Sequence, residues 1–314
     1  MPVTYAATLP GGTLGARPAP RFGLFLSQAS KPWSQVLDEF LVAEQLGFDH
    51  AWLVDHLVDT DGSPDDGCLE GWTLLAAIAA RTTRIRLGLL VSSNTFRNPA
   101  LLLKEAVTVD HISGGRVTLG IGTGWHEEEH RRFGIDLPAP PERVDRFEEA
   151  LGVITSLMAQ ERTTFDGRFY RLDDARLRPP PLQKPRIPIL IAAHRPRMMR
   201  IAARFADQWD TFASSPGTAT EGVEAPIAER IAALDAACRA IGRDPLTIRR
   251  SLWGGREALR STDAWLDFVR THRAMGFTDF TTVMPAPEDE HVLRTVATEL
   301  IPAIRSGALS IEDM

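Results

Sequence analysis

The stretch from Leu87 to Trp125 constrains the fold most, because it joins two apolar runs through a segment with strong helix signals. The first run ends at Val91. Asn98 and Pro99 then begin a helix, since asparagine caps a helix N-terminus and proline at the first helical position has no N–H to leave unpaired. The helix ends near Gly114, where glycine can adopt the left-handed conformation. This strand–helix–strand unit predicts a parallel sheet whose ligands lie at the carboxyl ends of its strands.

The rest of the chain repeats the same alternation of strand-length apolar runs and helical periods. Eight strands are predicted, at Arg21–Leu26, His50–Val54, Ile85–Val91, Val117–Ile121, Ile187–Ala192, Gln208–Phe212, Leu246–Trp253 and Thr278–Met284. A helix follows each of them, at Trp33–Leu46, Leu69–Arg81, Pro99–Ser113, Val144–Met158, Pro196–Phe205, Glu224–Ile241, Thr262–Met275 and Glu288–Arg305. So regular a period predicts a closed (β/α)8 barrel, the TIM-barrel fold.

One long span interrupts this period, and it predicts an insertion of about residues 126–186 between strands four and five. Within it, Thr163–Leu172 predicts a β-hairpin, because Asp166-Gly167 suits a tight turn. Residues 1–20 are rich in Gly, Pro, Ala and Thr, which predicts a flexible N-terminal extension. Residues 21–314 are therefore expected to form a single barrel domain.

Composition excludes several classes of function. The net charge of -6 argues against nucleic acid as a partner, since binding phosphates requires a basic surface. No apolar run reaches the roughly 20 residues of a membrane helix, and the N-terminus has no signal-peptide pattern. Cys68 and Cys238 lie far apart, which is typical of two reduced thiols. We therefore expect a cytoplasmic protein that acts on a small molecule. Its assembly stays open, although large barrels of this kind often pair into homodimers.

In a barrel of this kind the working residues follow the strands. The strand ends offer mainly small residues, hydroxyls and backbone N–H groups. They are Ser27 and Gln28; Asp55 and His56; Ser92, Ser93, Asn94 and Thr95; Gly122, Thr123, Gly124 and Trp125; Ala192, Ala193, His194 and Arg195. Such a set suits a flat, phosphate-bearing organic cofactor better than a metal centre or a hydrolytic triad.

Three of these segments carry specific hypotheses, each with a structural alternative. Gly122-Thr123-Gly124 lets backbone N–H groups approach an anion ahead of a helix N-terminus, or forms only a turn. Ala193-His194-Arg195 combines a helix start with positive charge that can hold phosphate, or supplies a surface arginine and a capping histidine. Asp55-His56 predicts a histidine that protonates or orients a bound group near neutral pH, or a structural pair.

A fourth segment, from His126 to His130, matches the H-E-x-x-H pattern of zinc proteases. A zinc site would need a third ligand and a buried helix. The segment is instead rich in glutamate, lies next to Arg131 and Arg132, and shows no apolar face. A solvated helix, or one at the rim of a cofactor site, is the preferred interpretation, and a zinc hydrolase using His126 and His130 is the minor alternative.

Taken together, these motifs resemble the luciferase-like monooxygenase superfamily of flavin and deazaflavin enzymes. The matching segments run in family order: Trp52–His56, Asn98-Pro99, Ile112–Arg116, Leu119–Trp125, Thr164–Gly167 and Pro188–Ile191. The resemblance implies a (β/α)8 barrel with its long insertion after strand four. It also implies a redox cofactor on the carboxyl face, with its ring near strand three and its phosphate near strands four and five. A non-proline cis peptide near Leu90-Val91 is a further implication.

Members of this family use either FMN or the deazaflavin coenzyme F-420 (F420). The Asp55-His56 pair and the string Thr95–Pro99 look like the deazaflavin branch, which implies an F420-dependent oxidoreductase that transfers a hydride to or from a small organic substrate. An FMN-dependent monooxygenase using O2 is the alternative, and a non-catalytic flavin-binding barrel is a further one.

The resemblance also implies roles for individual residues. Asp55 would contact the ring edge, and His56 would donate or accept a proton or stabilise charge on the ring. Trp125 would form a wall of the pocket. The remaining cofactor contacts would come from Leu90, Val91, Ser92 and Thr95 for the ring, and from Gly122, Thr123, Gly124, Ala192, Ala193 and His194 for the phosphate.

Overall fold

Eleven strands are present in the computed structural model, which describes residues 18–60, 62–63, 65–213 and 225–312. They are β1 (Arg21–Phe25), β2 (His50–Leu53), β3 (Arg86–Leu89), β4 (Ser92–Ser93), β5 (Leu119–Gly122), β6 (Thr163–Asp166), β7 (Arg171–Ala175), β8 (Ile189–Ala192), β9 (Gln208–Phe212), β10 (Arg249–Trp253) and β11 (Asp279–Val283). All except β6 and β7 belong to one parallel sheet.

This sheet closes into a barrel. Its strands pair in the order β3-β2-β1-β11-β10-β9-β8-β5-β4, so that β3 and β4 at its two ends are consecutive segments of the chain. Ser92 on β4 pairs with Ile121 on β5, and Leu87 on β3 bridges to Val117 just before β5. Since β3 and β4 together form one strand position, the barrel has eight positions. The predicted (β/α)8 fold is confirmed.

The third strand position differs from the prediction of one continuous strand, Ile85–Val91. The peptide bond between Leu90 and Val91 is cis, as the family resemblance implied, and the strand is interrupted there. Gly122 on β5 makes room for this break, because a Cβ at that position would lie 2.7 Å from Cγ2 of Val91. The interruption therefore brings Val91 against the carboxyl end of the neighbouring strand.

Helices surround the barrel and bury the outward side chains of the strands. They are α1 (Trp33–Gln45), α2 (Gly71–Ala79), α3 (Pro99–Ser113), α4 (Glu127–Phe133), α5 (Pro140–Ala159), α6 (Pro196–Phe205), α7 (Ile227–Ala240), α8 (Thr262–Ala274), α9 (Glu290–Thr295) and α10 (Ile301–Ser306). The predicted signals of α3 are confirmed, since the Asn98 side chain accepts a hydrogen bond from the Ala100 N–H and Gly114 has φ 68°. In the described residues no helix is long and apolar enough to cross a membrane.

Several predicted boundaries were wrong. The seventh strand begins at Arg249 rather than Leu246, because Pro245–Thr247 forms a 3-10 turn. The last helix contains a π turn, Val296–Leu300, between α9 and α10. The predicted start of α7 at Glu224 and residues 1–17 of the predicted extension lie outside the described residues.

The hairpin in the insertion is confirmed, but its tight turn at Asp166-Gly167 is not. Strands β6 and β7 pair antiparallel, and four residues, 167–170, connect them. The carboxylate of Glu149 on α5 accepts hydrogen bonds from the backbone N–H groups of Arg168, Phe169 and Tyr170. A tertiary contact therefore stabilises the longer loop, and the local sequence does not reveal it.

The base of the barrel interior is polar. Arg250 on β10 pairs with Asp235 of α7 and so faces outward, which places its neighbours Arg249 and Ser251 inside. Arg249 bonds Asp279 on β11, with 2.7 Å between Nε and Oδ2. His50 lies in the same interior, 3.0 Å from the hydroxyl of Thr281, and burial lowers its pKa to about 4. His50 is consequently neutral at neutral pH.

Candidate active site

His56 lies at the mouth of the barrel, just after β2, and is paired with a buried carboxylate. Its Nδ1 lies 2.9 Å from Oε1 of Glu129 on α4. The second oxygen of Glu129 accepts a hydrogen bond from the backbone N–H of Leu57, so that both carboxylate oxygens are bonded. In the described part of the chain, Nε2 of His56 forms no hydrogen bond. The arrangement is a histidine–carboxylate dyad with one ring nitrogen available to a ligand.

The electrostatics of Glu129 fix the tautomer of His56. Burial raises the pKa of Glu129, but the hydrogen bond and charge of His56, together with the Leu57 N–H, outweigh it and place the pKa below its ordinary value. Glu129 is therefore an acceptor-only carboxylate at neutral pH, and Nδ1 of His56 carries the hydrogen. Nε2 of neutral His56 is then a proton acceptor.

Asp55 is held by a second, denser network. Its two carboxylate oxygens form a bidentate pair with Arg97, at 2.7 and 3.0 Å, and accept the Ser93 N–H at 2.8 Å. Arg97 also bonds Glu70 and Glu105. Burial lowers the pKa of Arg97, but Asp55 and the two glutamates outweigh it and hold the pKa above its ordinary value. Asp55 therefore links the segment after β2 to β4 and to the loop that follows it.

The H-E-x-x-H segment lies at this rim, and its inner face is buried although its sequence shows no apolar face. Glu129 and His130 are 1% and 2% exposed. Nε2 of His130 bonds the Thr95 hydroxyl at 2.6 Å, and Nδ1 bonds the carbonyl of His126 at 2.7 Å. Both nitrogens of His130 are thus engaged, and no group of three or more metal-ligating side chains occurs among the described residues. The geometry does not support the zinc alternative.

Trp125 forms one wall of the mouth beside the dyad. Its ring centroid is 5.7 Å from that of His56 and 5.0 Å from that of His126, in edge-on geometry. The side chain is 57% exposed, which is unusual for tryptophan. An exposed aromatic surface next to the free nitrogen of His56 suits a flat ligand.

Behind this wall, the loop Gly122-Thr123-Gly124 lies against strand three. Gly124 has φ 81°, and a Cβ there would lie 2.6 Å from the Ser93 hydroxyl. Its carbonyl accepts a hydrogen bond from Arg143 of α5 at 2.6 Å. The helix that follows carries Glu127, Glu128 and Glu129 in its first turn, so its N-terminus repels anions. That helix does not support a phosphate site, and an anion could bind only the loop itself.

The residues after β8 form the opposite side of the mouth. The Ala193 N–H bonds the carbonyl of Asp210 at 3.3 Å, so that this N–H is not available to a ligand. His194 lies 3.2 Å from the Thr211 hydroxyl and 3.3 Å from Nη1 of Arg230 on α7. Burial, with the positive charges of Arg230 and Arg195, lowers the pKa of His194 to about 4. The field at His194 is therefore positive, which suits an anionic group.

The polar side chains at the end of strand three differ in whether they form hydrogen bonds. The Ser92 hydroxyl accepts a hydrogen bond from the Trp72 indole of α2, so it faces the helix layer, and Thr95 is engaged with Ser93 and His130. In contrast, Oδ1 of Asn94 is buried without a hydrogen-bond partner in the described chain. An orphaned amide oxygen, an exposed tryptophan and a positive pocket together fit a polar, flat and anionic cofactor.

Sequence reasoning predicted Asp55 and His56 but missed Arg97, Glu129 and Arg230. Arg97, the partner of Asp55, lies within the string Thr95–Pro99, which carries the family resemblance but does not by itself indicate this pairing. Glu129 was noted only within the zinc pattern. The useful signal was a run of three glutamates directly after a glycine-rich strand end, one of which can face the barrel mouth.

A family model described as luciferase-like monooxygenase matches residues 18–288. The chain belongs to this family. The predicted resemblance is confirmed, and it covers both sides of the barrel mouth.

Curated relatives share moderate identity with the chain. It is 37% identical over 194 residues to an F420-dependent glucose-6-phosphate dehydrogenase of Microbacterium testaceum, covering 61% of this chain and 56% of the relative. It is 30% identical over 268 residues to an F420-dependent hydroxymycolic acid dehydrogenase of Mycobacterium tuberculosis, covering 82% and 71%. The chain spans about half the length of several curated relatives that it matches.

Solved structures support the same fold. An F420-dependent secondary alcohol dehydrogenase, in complex with an F420–acetone adduct, superposes with a TM-score of 0.76. The match covers 91% of this chain and 99% of that one at 20% identity. At this identity the similarity establishes the barrel architecture alone.

Proposed function

We propose that the protein is an F420-dependent oxidoreductase that transfers a hydride between the deazaflavin and a small organic substrate. The observation that carries the proposal is the His56–Glu129 dyad at the mouth of the barrel, in which Nε2 of His56 bonds none of the residues that the structure describes. Relatives named as F420-dependent dehydrogenases support the choice of cofactor. Bound F420 would supply the hydride acceptor or donor.

His56 is the proposed catalytic acid and base. In the oxidative direction its unprotonated Nε2 takes the proton of a substrate hydroxyl, and the imidazolium that forms is stabilised by the Glu129 carboxylate. In the reductive direction the imidazolium returns that proton to a carbonyl oxygen. Glu129 acts through His56 and is a positioning residue, because both its oxygens are bonded to protein groups.

The cofactor would lie between strand three and the loops after β5 and β8. The break at Leu90-Val91 and the Trp125 ring would enclose its ring system, and the Asn94 amide oxygen would accept a hydrogen bond from a ring N–H. The anionic tail would lie near His194, within the positive field of Arg230 and Arg195. Asp55 would lie near the ring, but its carboxylate already accepts hydrogen bonds from Arg97 and the Ser93 N–H.

A binding titration tests this proposal. Purified protein is titrated with F420 and, separately, with FMN, and binding is followed by cofactor fluorescence. We expect tight binding of F420, retention of that binding in His56→Asn, and loss of hydride transfer in the same variant. Tight binding of FMN without F420 binding would overturn the proposal. Oxygen consumption with reduced FMN would then establish the monooxygenase alternative.

The assembly and location are part of the same proposal. We propose a cytoplasmic enzyme with a small-molecule substrate, supported by the dehydrogenase relatives. We also propose a homodimer, which light scattering of the purified chain would check. A monomeric mass at micromolar concentration would contradict the dimer and leave the catalytic proposal intact.

A further inference from the structure

Asp210 on β9 is a carboxyl group inside the barrel that the proposed mechanism does not use. Its neighbour Thr211 accepts a hydrogen bond from Arg230 of α7 and so faces the helix layer. Because side chains alternate along a strand, Asp210 points into the barrel. The residue is only 6% exposed.

Asp210 lies inside the barrel, just beneath the mouth. In the sheet register Asp210 lies beside Ala192 on β8 and beside Ser251 on β10. Ala192 immediately precedes Ala193 and His194, which form the positive side of the mouth. Asp210 therefore lies directly below the place where the anionic tail is proposed to bind.

Two neighbouring polar atoms in this interior lack partners. Oδ1 of Asp210 and the hydroxyl oxygen of Ser251 are both buried; the hydroxyl is close enough to lower the pKa of Asp210, but neither atom has a well-aligned hydrogen bond in the part of the chain described. Buried polar atoms in proteins are nearly always bonded to protein or to water. A pair of them side by side marks a position that the protein fold alone does not satisfy.

The other charged groups of the interior do not compensate Asp210. Arg21 on β1, His50 on β2, Arg86 on β3, and Arg249 with Asp279 at β10 and β11 lie towards its base, while β5 and β8 contribute no titratable side chain. Asp279 pairs with Arg249 and with the Thr278 hydroxyl, each at 2.7 Å. Asp210 forms no ion pair with any described residue. Burial raises the pKa of Asp210 to about 7, Ser251 lowers it and the charge of Asp279 raises it further.

We propose that Asp210 is a binding-linked proton site, which takes up a proton from solvent when an anionic ligand occupies the barrel mouth. The inference rests on the proposed function, because F420 is the anion in question. A negative charge placed near Ala192 disfavours a second negative charge below it, since the surroundings exclude water. At pH 7 the uptake should reach at most about half a proton per site.

Calorimetry in several buffers measures this proton uptake. F420 is titrated at pH 7 into the full-length protein in buffers that differ in ionisation enthalpy, and the slope of the apparent enthalpy gives the protons exchanged. Because F420 can itself ionise, the quantity of interest is the difference between wild type and Asp210→Asn. We expect this substitution to reduce the uptake while F420 still binds. The matched control is Asp267→Asn, an exposed aspartate on α8, which should behave as wild type.

A second variant keeps the test decisive if Asp210→Asn does not fold. Ser251→Ala removes the neighbouring hydroxyl that lowers the pKa of Asp210, so the pH of greatest uptake should move upward. Equal uptake in wild type and Asp210→Asn, or an unmoved pH profile in Ser251→Ala, would overturn this inference and leave the proposed function standing. Failure of F420 to bind wild type would overturn both together.

Discussion

The two sides of the barrel mouth differ in how their charged groups are paired. On the dyad side, which comprises Asp55, His56, Arg97 and Glu129, each charged group is paired: Asp55 with Arg97, and Glu129 with His56. On the tail side, which comprises Ala192, Ala193, His194 and Asp210, the groups are less evenly matched. The charges of Arg230 and Arg195 both lower the pKa of His194, and Asp210 forms no ion pair with any described residue.

The dyad side therefore forms its charge pairs without a ligand, whereas the tail side is expected to interact with the charge of a bound ligand. Removing one member of a paired buried set leaves its partner as an uncompensated charge, so the dyad side should be sensitive to substitution. The tail side should instead respond to added anions, because Arg195 and Arg230 attract a negative charge towards His194. The four predictions below test this comparison, from the largest expected effect to the smallest.

Arg97→Ala should produce the largest effect. It leaves Asp55, whose side chain is 2% exposed, as a buried carboxylate without its cation. The expected loss is about 3–5 kcal/mol of unfolding free energy, measured by urea denaturation. Arg97→Lys, which keeps the charge but not the bidentate geometry, should lose less. A loss below about 1 kcal/mol in Arg97→Ala would show that the dyad side is not held together by this pairing.

Glu129→Gln should reduce the turnover number about 100-fold with little change in KM, because the amide no longer stabilises the imidazolium of His56. The measurement is the rate of F420 reduction with an alcohol that supports turnover in wild type. Glu127→Gln on the exposed face of the same helix is the control and should remain active. Equal rates in both variants would remove Glu129 from the proposed mechanism.

Gly124→Ala should cost about 1–2 kcal/mol of stability, because the position has φ 81° and its Cβ would crowd the hydroxyls of Ser93 and Thr95 at 2.6 and 2.7 Å. Gly134→Ala is a matched control, since Gly134 has φ 67° but no atom within 4 Å of its Cβ position. Thermal unfolding of both variants separates the steric cost from the conformational one. The comparison fails if Gly134→Ala is the more damaging substitution.

On the tail side, inorganic phosphate should raise the pKa of His194 from about 4, by about one unit, because an anion stabilises the imidazolium. NMR titration of the imidazole signals with and without phosphate measures the shift. His50 also has a pKa of about 4, but it lies at the base of the barrel, beyond the reach of the anion. A His194 titration that phosphate leaves unchanged, or one that moves together with His50, would contradict an anion site here.

Much of the fold was predictable because periodicity and capping are local properties of a sequence. The Asn98-Pro99 start and Gly114 end of α3 were predicted from residue types that act within one helical turn. The turn of the hairpin was mispredicted because the four-residue loop 167–170 is stabilised by Glu149, which lies on α5 and outside the hairpin. Local signals cannot report such a partner.

Site residues were predictable only where their position after a strand is enough to place them at the barrel mouth. Asp55 and His56 follow β2, so the barrel geometry brings them to the mouth. Glu129 is one of three successive glutamates, and only the way α4 lies on the barrel selects it over Glu127 and Glu128. For Asp210 the sequence predicts only a strand position, because it does not show that the described neighbours include no cation paired with this carboxyl.

The pairing of His56 with Glu129 joins the proposed catalytic base to a helix 73 residues further along the chain, at the start of the insertion. The insertion therefore contains part of the proposed proton-transfer apparatus. Chimeras should accordingly retain α4 up to Gly134 and place the junction after it. A swap that begins at residue 126 would replace the carboxylate that bonds His56 together with the rest of the insertion.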